Sequence, residues 1–137
     1  MILSYSRDSF VKDILLRKKR HTIRADKHNR WHVGRKIHFW RGNPRNTRGK
    51  NKPYQFATGV VQEIKRIVIT HAKTGSILKN VTITVDGISL NKEEQEGLAY
   101  SDGFSCLTEF LLWFDKDFTG KLIIWEQETL TRTNTPQ

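Results

Sequence analysis

Cysteine is almost missing from this chain: 137 residues carry one, Cys106. A lone thiol forms no internal disulfide, and with no CxxC pair there is no zinc ligand spacing. Cys106 sits inside an apolar helical pattern, so we expect a small buried thiol. No run of about 20 apolar residues occurs, and the opening MILSYSRD has neither a basic start nor a long apolar middle, so we expect a soluble, cytoplasmic protein with no membrane partner. Walker-type and dinucleotide-type glycine loops and internal repeats are also lacking. His21, His28, His32, His38 and His71 are scattered over strands and loops, so we expect neither metal nor cofactor.

Acidic residues are scarce in one half only. Residues 1–52 hold 16 Lys or Arg against 3 Asp or Glu, a net +13, whereas residues 53–137 hold 8 against 11, a net −3. A gradient of this size implies a positive surface that attracts a polyanion. The basic half interleaves its cations with Trp31, His32, Phe39, Trp40 and Tyr54, side chains able to stack on bases as well as to fill a core. RNA or another single-stranded nucleic acid is therefore the leading partner. A solvated positive face over buried aromatics is the plainer reading of individual residues.

The stretch RKKRHTIR (17–24) is the densest part. Asp8 or Ser9 can cap a helix through Phe10, Val11, Ile14 and Leu15, which share one face. Cations in a last helical turn are favoured by the helix dipole, which accounts for some of Arg17, Lys18, Lys19 and Arg20. HTIRA and KIHFW read as strands, and RGNPRNTRGKNKP (41–53) as a basic loop. FATGVVQEIKRIVIT and NVTITVDGI read as long strands joined by the polar turn HAKTGSILK. NKEEQEGLAYSDG is a short helix or an ordered loop. Leu107, Phe110, Leu111 and Phe114 fall on one helical face behind Ser105 as N-cap. GKLIIWEQ closes as a strand, and residues 129–137 form a frayed tail. At this length we expect one α+β domain over residues 1–137, built on an antiparallel sheet or small barrel.

The order of these motifs carries a resemblance. A basic helix end running into KxxTIR, then GRKIHFW after a turn glycine, then DGFSCLTEF before a final strand, resembles the ASCH domain over residues 10–126. That family belongs to the PUA-like superfamily. The resemblance implies a small β-barrel of about five to six mostly antiparallel strands with two main flanking helices, and a cleft that holds RNA or a nucleoside. In members similar to amidohydrolases acting on N4-acetylcytidine, a Lys, a Thr and a Glu line that cleft; Lys19, Thr22 and Asp102 stand at those positions. Other members are RNA binders or ribonucleases. Two departures are visible: the glycine the family often carries two residues before its lysine is Arg17, and Asp102 is one methylene shorter than the family glutamate. The loop 41–53 is an elaboration of the family core.

Taken together, we expect an RNA- or nucleotide-binding domain. Arg17, Lys18, Arg20, Arg24, Arg41, Arg45, Arg48, Lys50 and Lys52 would supply charge, with Trp40 and Tyr54 as stacking platforms. The alternatives are an amidohydrolase acting on an N4-acylated cytidine-type nucleoside through Lys19, Thr22 and Asp102, a ribonuclease using the same cleft, or a positive face docking an acidic protein. In hydrolysis, positive neighbours and burial would lower the Lys19 pKa so that it activates Thr22, Asp102 would shuttle a proton, and Arg24 would hold an oxyanion or a phosphate. The plain alternatives are a strand threonine at 22 and, at 102, a carboxylate favoured by the dipole near a helix start.

Overall fold

The computed structural model describes residues 1–46, 48–49, 52–71 and 81–133. The chain runs β1 (Ile2–Tyr5), α1 (Asp8–Leu15), β2 (His21–Arg24), β3 (Lys36–Arg41), β4 (Tyr54–His71), β5 (Val81–Val85), β6 (Ile88–Ser89), α2 (Lys92–Ser101), α3 (Leu107–Trp113), β7 (Phe118–Trp125) and β8 (Thr131–Arg132). A short 3-10 turn at Gln127–Thr129 precedes β8.

β4 organises the molecule. Its odd-numbered residues Ala57, Gly59, Val61, Ile67 and Ile69 are buried, the two-residue period of a strand with one covered face. Its first half pairs antiparallel with β3 and β8, and its second half with β5 and β7. A register shift against β7 between Val61 and Glu63 bends the strand from one set of partners to the other. β1 extends the sheet parallel to β3, and β2 pairs antiparallel with β7. The result is α+β with eight strands, but among the described residues the pairings β1-β3-β4-β5-β6, with β2-β7 and β8 branching from β4, never return to form a ring. Among the described residues the strands thus form an open, branched sheet with three helices, and the small barrel of about five to six strands is not shown.

Several local expectations change for identifiable reasons. NVTITVDGI is not one strand: Asp86 and Gly87 both take positive φ, and Val85 pairs with Ile88 across a two-residue turn, the arrangement favoured by Asp-Gly. The chain after Thr129 is not all frayed, because Thr131 and Arg132 pair with Thr58 and Ala57. α1 starts after Arg7 and α3 after Cys106, and neither has a side-chain cap hydrogen bond. Ser105 instead donates its hydroxyl to Glu109. Cys106 is exposed rather than buried, since the buried face of α3 begins one residue later, at Leu107. The HAKTGSILK turn (beyond His71), Lys50 and residues 134–137 lie outside the described residues.

Phe39 and Trp125 meet edge to face at 4.9 Å, in a core that also holds Ile37, Val61, Ile67, Ile69, Ile83 and Ile123. Trp31 and Phe39, two of the aromatics in the basic half, belong to this core and are withdrawn from stacking on any ligand.

Candidate functional site

Two helix exits build the site. α1 ends with Leu16 as C-cap and Arg17 at φ +65°; Arg17 N–H donates to Ile14 O and Lys18 N–H to Asp13 O. α2 ends with Asp102 as C-cap and Gly103 at φ +95°; Gly103 N–H donates to Tyr100 O and Phe104 N–H to Ala99 O. Both are the paired-bond exit that places a left-handed residue just past a helix. This explains why a glycine is natural two residues before Lys19, and Arg17 holds the same geometry at a cost of about 1–2 kcal/mol for its Cβ. At Gly103 a side chain would be strained by the positive φ and crowded, because a Cβ would stand 3.0 Å from the Phe10 ring and 3.1 Å from the Lys19 stem. Arg20 N–H donates to Ser101 O at 2.8 Å, tying the two exits together and setting Lys19 against Asp102.

Lys19 is 2% exposed and Asp102 4%. The Lys19 ammonium donates to Asp102 O at 2.6 Å, His21 O at 2.9 Å and Asp102 Oδ1 at 3.1 Å, one acceptor for each of its three protons. Burial pushes the Lys19 pKa down, opposed by the Asp102 carboxylate and aided by Arg24. Asp102 Oδ1 also meets His21 Nδ1 at 3.1 Å. The expectation that Asp102 stands near a helix start is overturned: it caps a C-terminus, where the dipole disfavours an anion, so Lys19 and His21 rather than the helix hold it.

Thr22 and Arg24 project from β2 into the same space. Arg24 Nε donates to Thr22 Oγ1 at 3.3 Å, and its Nη2 to Ser4 O at 3.2 Å. The guanidinium lies 5.2 Å from the centre of the Tyr5 ring. Together these side chains line a cleft of about 380 Å³, with Phe10, Phe104, Trp113 and Phe114 along one wall and Gly42 and Asn43 at the start of the basic loop. The wall is a set of edge-to-face contacts: Phe10 meets Phe104 at 5.6 Å and Trp113 at 5.9 Å. Arg7 braces it from behind, 4.7 Å from the Phe10 centroid and bonded to Glu109 at 3.1 Å. Hydrogen bonds from Ser105 and Arg7 hold the Glu109 carboxyl below its usual pKa.

Lys19, Thr22 and Asp102 thus share one cleft, as the motif order suggests. Their bonding is not that of a resting nucleophile and base: among the described residues Thr22 Oγ1 is bonded to Arg24, and Lys19 spends its protons on Asp102 and His21. Of the other cations among the described residues, only Arg24 lines the cleft. Arg17 turns back to Gln127 O, Lys18 stands 4.0 Å from Asp13 and 4.6 Å from the Tyr100 ring, and Arg20 borders a separate groove with His21, Leu90 and Leu98. Arg41 pairs with Asp8 at 2.7 Å. Arg45, Arg48 and Lys52 are exposed on the loop beyond Asn43. Trp40 is half-buried outside the cleft, and Tyr54 lines another groove with Val11, Leu15 and Arg132. Neither forms a platform beside Lys19.

Sequence reasoning passed over His21 as a scattered histidine and Tyr5 as part of a short strand. The alternation of HTIR places Thr22 and Arg24 together on one side, a signal that was available. The approach of His21 to a carboxylate 81 positions away has none. The chain matches no protein-family model, no curated protein and no solved structure.

Proposed function

We propose that the chain is an RNA- or nucleotide-binding domain of the ASCH, PUA-like kind, which holds one nucleotide unit in the Lys19–Thr22–Asp102 cleft while the loop 41–53 meets neighbouring phosphates. The observation that carries this reading is the make-up of the cleft: an aromatic wall, a buried polar end, and a rim at Gly42 and Asn43 from which the basic loop departs. On that wall the half-exposed Trp113 can accept the face of a base whatever its identity, while Phe10 and Phe104 are buried in the core, and Arg24 offers the N–H groups not spent on Thr22 and Ser4 to an anionic oxygen. The order of elements, with basic helix exit, KxxTIR strand and D-G-F turn meeting in space, supports kinship with the family better than any single motif does.

A second reading is favoured by the buried Lys19–Asp102 pair beside Thr22: hydrolysis of an acyl group on the exocyclic nitrogen of a cytidine-type base. For this, Lys19 must lose a proton and release one of its three bonds before it can take the Thr22 proton, so slow or absent turnover is expected. Both readings are tested in one series. Wild type and Arg24→Ala are titrated with a labelled single-stranded RNA, and wild type and Thr22→Ala are incubated with N4-acetylcytidine while released cytidine is measured. Weaker RNA binding by Arg24→Ala supports the binding domain. Failure of the wild type to bind RNA or any nucleoside monophosphate sinks it, and cytidine release lost in Thr22→Ala would make the cleft an active site.

A further inference from the structure

Tyr5 is the last residue of β1, where it pairs in register with Arg41 and closes the polar end of the cleft. It is 5% exposed, yet its hydroxyl has no hydrogen-bond partner among the described residues. The other buried unpartnered side-chain groups, the Trp125 indole N–H and the Gln127 amide, do not line this cleft. Folded proteins pair nearly all buried polar groups, and one left open in a cleft points to a partner that arrives with a ligand.

The surroundings fix what kind of atom that partner is. Burial raises the Tyr5 phenol pKa, opposed by Arg24 and the Thr22 hydroxyl, which lie near the phenol oxygen but outside hydrogen-bond geometry, so the oxygen keeps its proton at neutral pH and can donate it. Thr22 Oγ1 accepts from Arg24 Nε, which leaves the Thr22 proton to donate as well. The one carboxylate in the lining, Asp102, already shares Oδ1 between Lys19 and His21. The Tyr5 and Thr22 hydroxyls and the Arg24 N–H groups not spent on Thr22 and Ser4 therefore make the lining rich in donors, against one carboxylate whose Oδ1 is already shared. We propose that Tyr5 is a specificity-determining residue that donates to a ring carbonyl of the bound base, so that the cleft prefers nucleobases carrying a carbonyl over adenine, which has none. This rests on the nucleotide-binding reading and adds to it which edge of the base is read.

Tyr5→Phe removes the hydroxyl and keeps the ring packed against Phe10 at 6.0 Å. If the hydroxyl serves the ligand, its loss leaves the free protein as stable as before or more so, because an unpaired buried polar group disappears. A hydroxyl that serves the fold would give the opposite result. The affinities of wild type and Tyr5→Phe for uridine, cytidine, inosine and adenosine 5′-monophosphates are measured by calorimetry, with thermal midpoints of both free proteins. Inosine and adenosine monophosphates are the decisive pair, being of one size and differing at the carbonyl. We expect the wild type to favour inosine monophosphate by about tenfold, the worth of one well-made hydrogen bond, and Tyr5→Phe to lose that preference while its midpoint holds or rises. Equal binding of the two purines by the wild type, an unchanged preference in Tyr5→Phe, or a lowered midpoint with affinities intact overturns the assignment while leaving nucleotide binding in place. Absence of binding by the wild type to all four overturns both.

Discussion

Lys19 and Asp102 are opposite charges taken almost wholly out of water, and each is satisfied mainly by the other. Attraction between buried charges offsets their desolvation only while both are present, so removing one leaves a stranded ion. Lys19→Met should therefore lower unfolding free energy by about 3–5 kcal/mol, and Lys19→Met with Asp102→Asn should recover part of that loss. Urea denaturation of wild type, Lys19→Met and the double variant checks this; Lys19→Met as stable as wild type would show that Asp102 is held by His21 alone. Lys19 and Asp102 were legible through the resemblance of KxxTIR and DGFSCLTEF to a family pattern, whereas the placing of Asp102 at the end of α2 rather than near a helix start came from the structure. The unpaired hydroxyl of Tyr5 and the contact of His21 were not legible, since both depend on what a distant segment brings near.

At the scale of elements, the connection from β2 to β3 shows how a loop is kept in place without regular structure. The Asp26 carboxylate accepts from the backbone N–H groups of Arg30 at 2.8 Å and Trp31 at 3.1 Å and from Lys121 of β7 at 2.8 Å. Burial would raise the Asp26 pKa, but Lys121 and the two N–H groups outweigh it and bring the pKa below 3.8. A carboxyl with a depressed folded pKa contributes stability above its unfolded value and loses it as pH falls through the folded one. Asp26→Asn should thus cost about 1–3 kcal/mol at neutral pH, and the gap from wild type should close as pH drops below 3.8. Unfolding midpoints across that range decide it: a gap that stays constant into acid would mean the charge has no part. Sequence patterning located the strands on either side of this connection, but with its Asp, Asn, His and Arg it looks like any solvated turn. Only the arrival of Lys121 gives Asp26 its role.

For the whole molecule the central quantity is the charge of +10 at pH 7, concentrated in the first 52 residues. Some of the cations of that half are paired locally, Arg41 with Asp8, Lys18 near Asp13 and Lys19 with Asp102. Arg45, Arg48 and Lys52 remain exposed on the loop that leaves the cleft rim. Binding of single-stranded RNA should therefore be strongly salt-dependent, with log affinity falling against log salt by about 0.7 for each phosphate contacted. Replacing Arg45, Arg48, Lys50 and Lys52 with Ala should flatten that slope and weaken unrelated sequences alike, because phosphate contacts carry no sequence information. Titrations at several salt concentrations with two unrelated RNAs test it. An affinity indifferent to salt, or a loss confined to one RNA, would move recognition from the loop to the cleft.

Composition and periodicity by themselves determined the α+β class, most strand and helix segments and the basic half, since each follows from residues near one another in the chain; that Asp102 leaves a helix rather than precedes one was decided by the fold. Tertiary structure alone decided that the sheet stays open and branched, because whether strands close a ring depends on register shifts such as that at Val61 and Glu63. It also decided which aromatics were spent on the core: Trp31 and Phe39 are chemically as able to stack on a base as Trp113, but they are buried in the core while Trp113 stays half-exposed in the cleft lining. Side-chain chemistry limits what a residue can do, and the burial imposed by distant neighbours selects which of those uses is realised.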